Sequence, residues 1–168
     1  MTAPELSRPV DVRHITGKPL TLEATAEERK ALARRFQIGA VQQLQATVTL
    51  ERADDAVAAH GRLSASIVQS CAISGEDLPV RIDEPLALRF VPARPIEDEE
   101  LELEADELDE IPYDGHVFDL GEAIAQSLAL AIDPYATGPE ADRVRQEVGL
   151  GDEAASGPFA ALAALKKP

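Results

Sequence analysis

Cys71 is the only cysteine in the chain, and it is the residue whose type most invites chemistry. A thiolate can attack an electrophile or hold zinc. A structural zinc site takes about four ligands at workable spacing, whereas His14, His60 and His116 are scattered singly and form no short-range pair with Cys71 or with one another. A Cys–His pair could converge in space, but no local signature of one is present. Cys71 also falls in step with Leu63, Ala65 and Ile67 on one side of an alternating segment, and free cysteine is among the most buried residue types. It reads as a small inward-facing side chain. Gly115 and Gly121 flank a short apolar stretch without the Gly-x-Gly-x-x-Gly or Gly-Lys-Ser pattern that aims backbone amides at phosphates. The expectation is a chain with no catalytic residues, no metal ligands, no cofactor and no small-molecule substrate.

Charge is the other conspicuous feature. The net charge is −15, yet Glu97–Glu110 alone holds ten acids and no base, leaving about −5 for the rest. Such a block repels itself, attracts basic partners and discourages phosphate backbones. Glu97, Asp98, Glu99, Glu100, Glu102 and Glu104 lead this acidic arm. It lacks the Asp-x-Asp-x-Asp-Gly spacing of a calcium loop. Arg81, Arg89 and Arg94 on the next strand upstream offer an alternative, direct contact with RNA, although no aromatic side chains are interleaved to stack bases. A lone cysteine fits a reducing compartment, no apolar signal core opens the chain, and Phe159–Leu165 is too short to span a bilayer. A cytoplasmic protein that avoids membranes is expected.

The elements that position these residues follow from periodicity. Short alternations at 9–15 and 19–24 predict two strands. Thr25-x-x-Glu28 forms a capping box, and good helix formers continue to Phe36, with a stop near Gly39. Val41–Arg52 alternates cleanly, with Leu44, Ala46, Val48 and Leu50 on one face. A polar, Ala-rich connection containing Gly61 is expected before a second strand, Arg62–Cys71. After a turn at Ser74–Asp77, Val80–Val91 is a third strand, in which Pro85 marks an edge or a bulge. The acidic segment, 95–114, reads as a mobile loop because its carboxylates cannot be buried without cations. Asp119-x-x-Glu122 then opens a helix whose stripe is Leu120, Ile124, Leu128 and Ile132, stopped by Asp133-Pro134. Glu140–Val148 is a short charged helix, 149–158 a flexible linker and 159–167 a helix-prone tail. The class is α+β: a mainly antiparallel sheet with two principal helices packed on it, one domain over 1–148, and a tail over 149–168.

The run Ser70-Cys-Ala-Ile-Ser-Gly-Glu-Asp-Leu-Pro-Val80, followed by a strand, an acidic segment, Asp119-Leu-Gly-Glu-Ala123, Leu128-Ala-Leu130 and the ending Phe159-Ala-Ala-Leu-Ala-Ala-Leu-Lys-Lys, resembles the YceD family of large ribosomal RNA accumulation proteins. The resemblance covers roughly 45–168. It implies a role in the synthesis, processing or stability of large-subunit (23S) ribosomal RNA, and it points to Cys71, Glu76, Asp77 and Pro79 with Asp119, Leu120, Gly121 and Glu122 as partner-binding positions. It also implies zinc in many members, held by Cys-x-x-Cys and by cysteines after the helix. Here Cys71-x-x-Ser74 keeps only the first, and no cysteine follows Pro134. The expected partners are large-subunit ribosomal proteins or a pre-ribosomal particle, with ribosomal RNA touched indirectly or weakly.

Overall fold

A computed structural model describes residues 3–94 and 110–149. The acidic run up to Asp109 and the tail from Leu150 lie outside the described residues, so the expectations of a mobile loop and a helical tail fall there too.

The longest alternating segments build the sheet. β3 (Ala40–Ala53) and β4 (Ala56–Ser70) form one hairpin, in register from Ala53↔Ala56 to Ala40↔Val68. The expected Ala-rich connection is therefore strand: Ala56 to Gly61 belong to β4, and the turn is Asp54-Asp55 alone. Asp54 sits at φ 55°, a left-handed conformation that a short polar side chain tolerates. β5 (Asp77–Pro92) pairs with β4 from Asp77 to Phe90 without a bulge. β2 (Pro19–Glu23) adds to the free side of β3. Beyond β5 comes β6 (Glu110–Tyr113), which runs parallel to Arg89–Pro92. The order β2-β3-β4-β5-β6 thus gives a mixed sheet, antiparallel except at β6, and the end of the expected loop is strand. β6 covers only the last residues of β5, so Pro85 and Pro79 lie on an open edge, where a missing N–H breaks no ladder bond.

Two short strands make a second sheet. β1 (Pro9–Asp11) pairs antiparallel with β7 (Val117–Asp119), and a 3₁₀ turn at Val12–His14 replaces the rest of the strand expected over 9–15.

Helix α1 (Ala26–Phe36) starts with the expected capping box: Glu28 N–H donates to Thr25 Oγ1 at 3.3 Å, and Thr25 N–H donates to Glu28 Oε2 at 2.8 Å. It ends before Gly39, because Gln37 takes the left-handed position at φ 55° and its N–H closes on Ala33 and Arg34 carbonyls. α2 (Leu120–Ala131) buries Leu120, Ile124 and Leu128, while Ile132 lies just past its end and is half-buried. α3 (Ala141–Glu147) is short and charged, as expected.

The core lies on one face of the large sheet. Leu44, Ala65 and Ile82 are cross-strand neighbours in it, and Leu32 from α1 and Ile124 from α2 close it. Phe90 stacks on Phe118 with centroids 4.0 Å apart, joining the two sheets. The opposite face presents Gln43, Ser66 and Arg81 in one row and Thr47, Arg62 and Pro85 in another. No helix among the described residues is long and apolar enough to cross a membrane.

Candidate functional site

The turn after β4 folds around one sulfur. Cys71 is 4% exposed, inward as its strand phase predicts. Its Sγ accepts backbone N–H groups from Ser74 at 3.3 Å, Gly138 at 3.4 Å and Ile73 at 3.5 Å. The segment after α2 therefore closes over the turn, and further bonds fasten it. Ala72 N–H donates to the Ala136 carbonyl at 2.9 Å, the Gln69 amide to that of Asp133 at 2.7 Å, and Glu140 N–H to Glu76 Oε1 at 3.0 Å. A side chain at Gly138 would put Cβ 2.4 Å from Glu76 Oε1 and from Leu78 Cδ2, so the Glu76 and Leu78 side-chain ends would have to move aside. Ser74, through its hydroxyl and its N–H, followed by the N–H groups of Gly138 and Ile73, holds the Cys71 thiol at about 7 rather than 9.0, against the opposing effect of burial. The Ser74 hydroxyl has one proton and also lies 3.1 Å from Glu76 Oε1, so the backbone donors, which cannot turn away, are the firmer part of that effect.

Zinc does not fit this turn. It offers one thiolate where four ligands are needed, and the neighbouring segment turns N–H groups, not lone pairs, toward that sulfur. Among the described residues no three His, Cys, Asp or Glu side chains gather as a metal cluster.

Asp119–Glu122 stands about 18 Å away, at the other end of α2. The two groups of expected partner-binding residues are thus not brought together. Each residue here also has a task within the chain. Asp119 Oδ1 accepts the N–H groups of Glu122 at 3.1 Å and Arg8 at 2.8 Å, and its Oδ2 accepts the Ser7 hydroxyl at 2.6 Å. Leu120 is buried. A Cβ on Gly121 would meet Arg8 N and Leu6 O at 2.8 Å, so the N-terminal segment lies directly on the helix. Glu122 grips Arg35 of α1. On the turn, Asp77 and Pro79 are exposed at the start of β5.

The expected arginines are spread out. Arg81 and Arg89 both point from the outer face, about 26 Å apart along β5, and Arg89 pairs with Glu110 at 3.3 Å. Arg94 lies past the strand, in a cleft of about 770 Å³ at the hairpin tip with Asp54, Asp55, Arg89 and Glu110. The acidic arm, Glu97 to Glu104, is outside the described residues; its two ends, Arg94 and Glu110, both sit at this tip.

A second groove, of about 610 Å³, runs between α1 and the start of β3, and the sequence pattern alone did not bring it out. Arg29, Lys30 and Arg34 line it. Lys30 and Arg34, at i and i+4, were available as one helical stripe, but the wall from β3 that completes the groove was not.

Comparison with known proteins adds one match. A family model described as "Large ribosomal RNA subunit accumulation protein YceD" matches residues 59–166, more than half the chain. No curated protein and no solved structure matches.

Proposed function

The chain belongs to the YceD family of large ribosomal RNA subunit accumulation proteins, and from that premise we propose that it is a non-enzymatic, cytoplasmic ribosome-assembly factor acting through protein contacts. It supports the synthesis, processing or stability of 23S ribosomal RNA by holding a basic large-subunit protein, free or within a pre-ribosomal particle.

The observation that supports this reading is where negative charge is anchored. The Asp54-Asp55 turn, Glu110 of β6 and the exposed Asp114 stand at one end of the sheet, and the acidic run departs from and returns to that same end. The sequence that joins Arg94 to Glu110 carries nine more acids, between 97 and 109. A negative pole of this density raises the local concentration of lysine- and arginine-rich proteins and repels phosphates, so RNA is reached through the bound protein.

Affinity purification from lysate, with and without nuclease, tests it. Large-subunit ribosomal proteins should be recovered in both, and their recovery should fall when 97–109 is replaced by a Gly/Ser linker. Recovery of no ribosomal component, or undiminished recovery by the replaced chain, overturns the proposal.

A further inference from the structure

Most described arginines are matched by a carboxylate, Arg8, Arg35, Arg62, Arg89 and Arg143 among them. Arg29, Lys30 and Arg34 are not, among the described residues; Lys18, Arg52, Arg81 and Arg94 are not either, but only the first three are neighbours on one helix. Arg29 Nη1 donates to the Ala24 carbonyl at 2.9 Å, and Arg34 Nε to that of Lys30 at 3.4 Å. In a chain with 31 acids and 16 bases, three neighbouring cations without a carboxylate are a departure from what the composition favours.

All three face the groove between α1 and β3. Its floor is Ala33, Ile38 and Val41, its rim is Arg29, Lys30 and Arg34 on one side and Gln42 on the other, and no carboxylate lines it. Gln42 is there because the β3–β4 register shifts between Val41 and Gln43, a bulge that leaves it without a strand partner beside the groove. Lys30 and Arg34 are one helical turn apart, and both are exposed. The groove opens at the Val41 end of β3, whereas the acidic pole is at the Asp54 end, about 40 Å away. That is several screening lengths, so the acids of that pole do not neutralise it; of the nearer acids on α1, Glu28 is taken by Arg8, and neither it nor Glu27 lines the groove.

We propose that this groove binds the phosphodiester backbone of single-stranded or looped RNA. Arg29, Lys30 and Arg34 take phosphates, Gln42 takes a ribose or phosphate oxygen, and the apolar floor receives the sugar edge. No aromatic side chain lines the groove, so bases are not stacked and contact is indifferent to sequence. The inference rests on the proposed role with large-subunit RNA and adds a direct contact at the pole opposite the protein-binding one.

The full chain is titrated into a fluorescently labelled single-stranded fragment of 23S ribosomal RNA, and anisotropy is followed at several salt concentrations. Lys30→Gln with Arg34→Gln should weaken binding at least tenfold and make the slope of log affinity against log salt shallower by about 1.4, the loss of two phosphate contacts. The charge-retaining pair Lys30→Arg with Arg34→Lys should bind as the parent does, and so should Arg81→Gln on the far face. Unchanged thermal melting shows that the glutamine pair is folded. No RNA binding by the parent at low salt, equal binding by the glutamine pair, or tighter binding of a poly-glutamate peptide than of RNA at this groove overturns the proposal. Recovery of ribosomal proteins through 97–109 does not involve these residues, so that reading can fail or stand separately.

Discussion

Glu122 holds Arg35 by both arms of its guanidinium, Nη1 lying 2.9 Å from Oε2 and Nη2 lying 2.7 Å from Oε1. The pair ties α1 to α2, and the same Nη1 reaches Glu5 at 2.9 Å, which brings in the N-terminal segment. Both side chains are partly exposed, which keeps the worth of the pair modest despite its two-pronged geometry. Glu122→Ala and Arg35→Ala should each lower the unfolding free energy by about 1 kcal/mol in urea titration. Because they remove the same interaction, the double variant should fall short of the sum. Strict additivity would show that the two do not work as a pair.

Asp119 and Gly121 should be intolerant for different reasons. Asp119→Ala removes the α2 cap and the acceptor of Ser7 and Arg8, a loss of about 1–2 kcal/mol. Gly121→Ala raises helix propensity, yet its Cβ would collide with backbone that has no flexible end to swing away. It should therefore destabilise the chain. A rise in melting temperature for Gly121→Ala would mean that residues 6–8 do not rest on the helix.

Acid should loosen the same region through Glu28. Arg8, bonded to both carboxylate oxygens at 2.7 and 3.0 Å, and then the N–H of Thr25 hold the Glu28 carboxyl at about 2 rather than 4.5. A carboxyl depressed in the folded state stabilises fully above its unfolded value and loses that contribution as pH falls. Stability should thus decline between pH 4.5 and 2, and Glu28→Gln, already without the charge, should show a smaller decline over that window. Parallel pH profiles for the two proteins would contradict this.

The thiol follows the same rule at higher pH. With Cys71 held at about 7 against 9.0, ultraviolet absorbance of the thiolate should titrate near neutral pH in the folded chain, and Ser74→Ala should move that titration toward 9.0. Stability should rise between pH 7 and 9 as the folded thiol ionises first, a gain lost in Cys71→Ser.

Elemental analysis of the purified protein should find no stoichiometric zinc, and a chelator should leave the melting temperature unchanged. One zinc per chain, lost with folding on Cys71→Ser, would show that the sulfur is a ligand after all.

What the sequence made legible was whatever one segment could declare alone. β3 and β5 alternate over many residues, and the Thr25–Glu28 box is local, so each was readable without its neighbours. The start of β4 was hidden because alanines carry little strand preference and Gly61 reads as a turn, whereas β3 supplies the pairing that decides it. β6 and β7 are only a few residues long and exist by virtue of β5 and β1. Cys71 was placed correctly as inward, but its three N–H donors could not be foreseen, since Gly138 comes from far along the chain. The groove on α1 was obscured for a similar reason: which charges of α1 are spoken for is a question about Arg8, Glu122 and Glu5, each on another segment.

The pairing of β1 with β7 sets an order on the making of this protein. Among the described residues, 9–11 have 117–119 as their strand partner, so this segment must wait for over a hundred further residues to be made before it can pair. At synthesis rates of about 5–20 residues per second, that delay is on the order of 5–20 seconds. The β3–β4 hairpin, whose strands meet across a two-residue turn, can close long before that, and β5 can then add to it. A nascent chain arrested just before residue 117 should therefore protect β3 and β4 from protease while residues 5–11 are still cut, and extension by a few tens of residues should protect both.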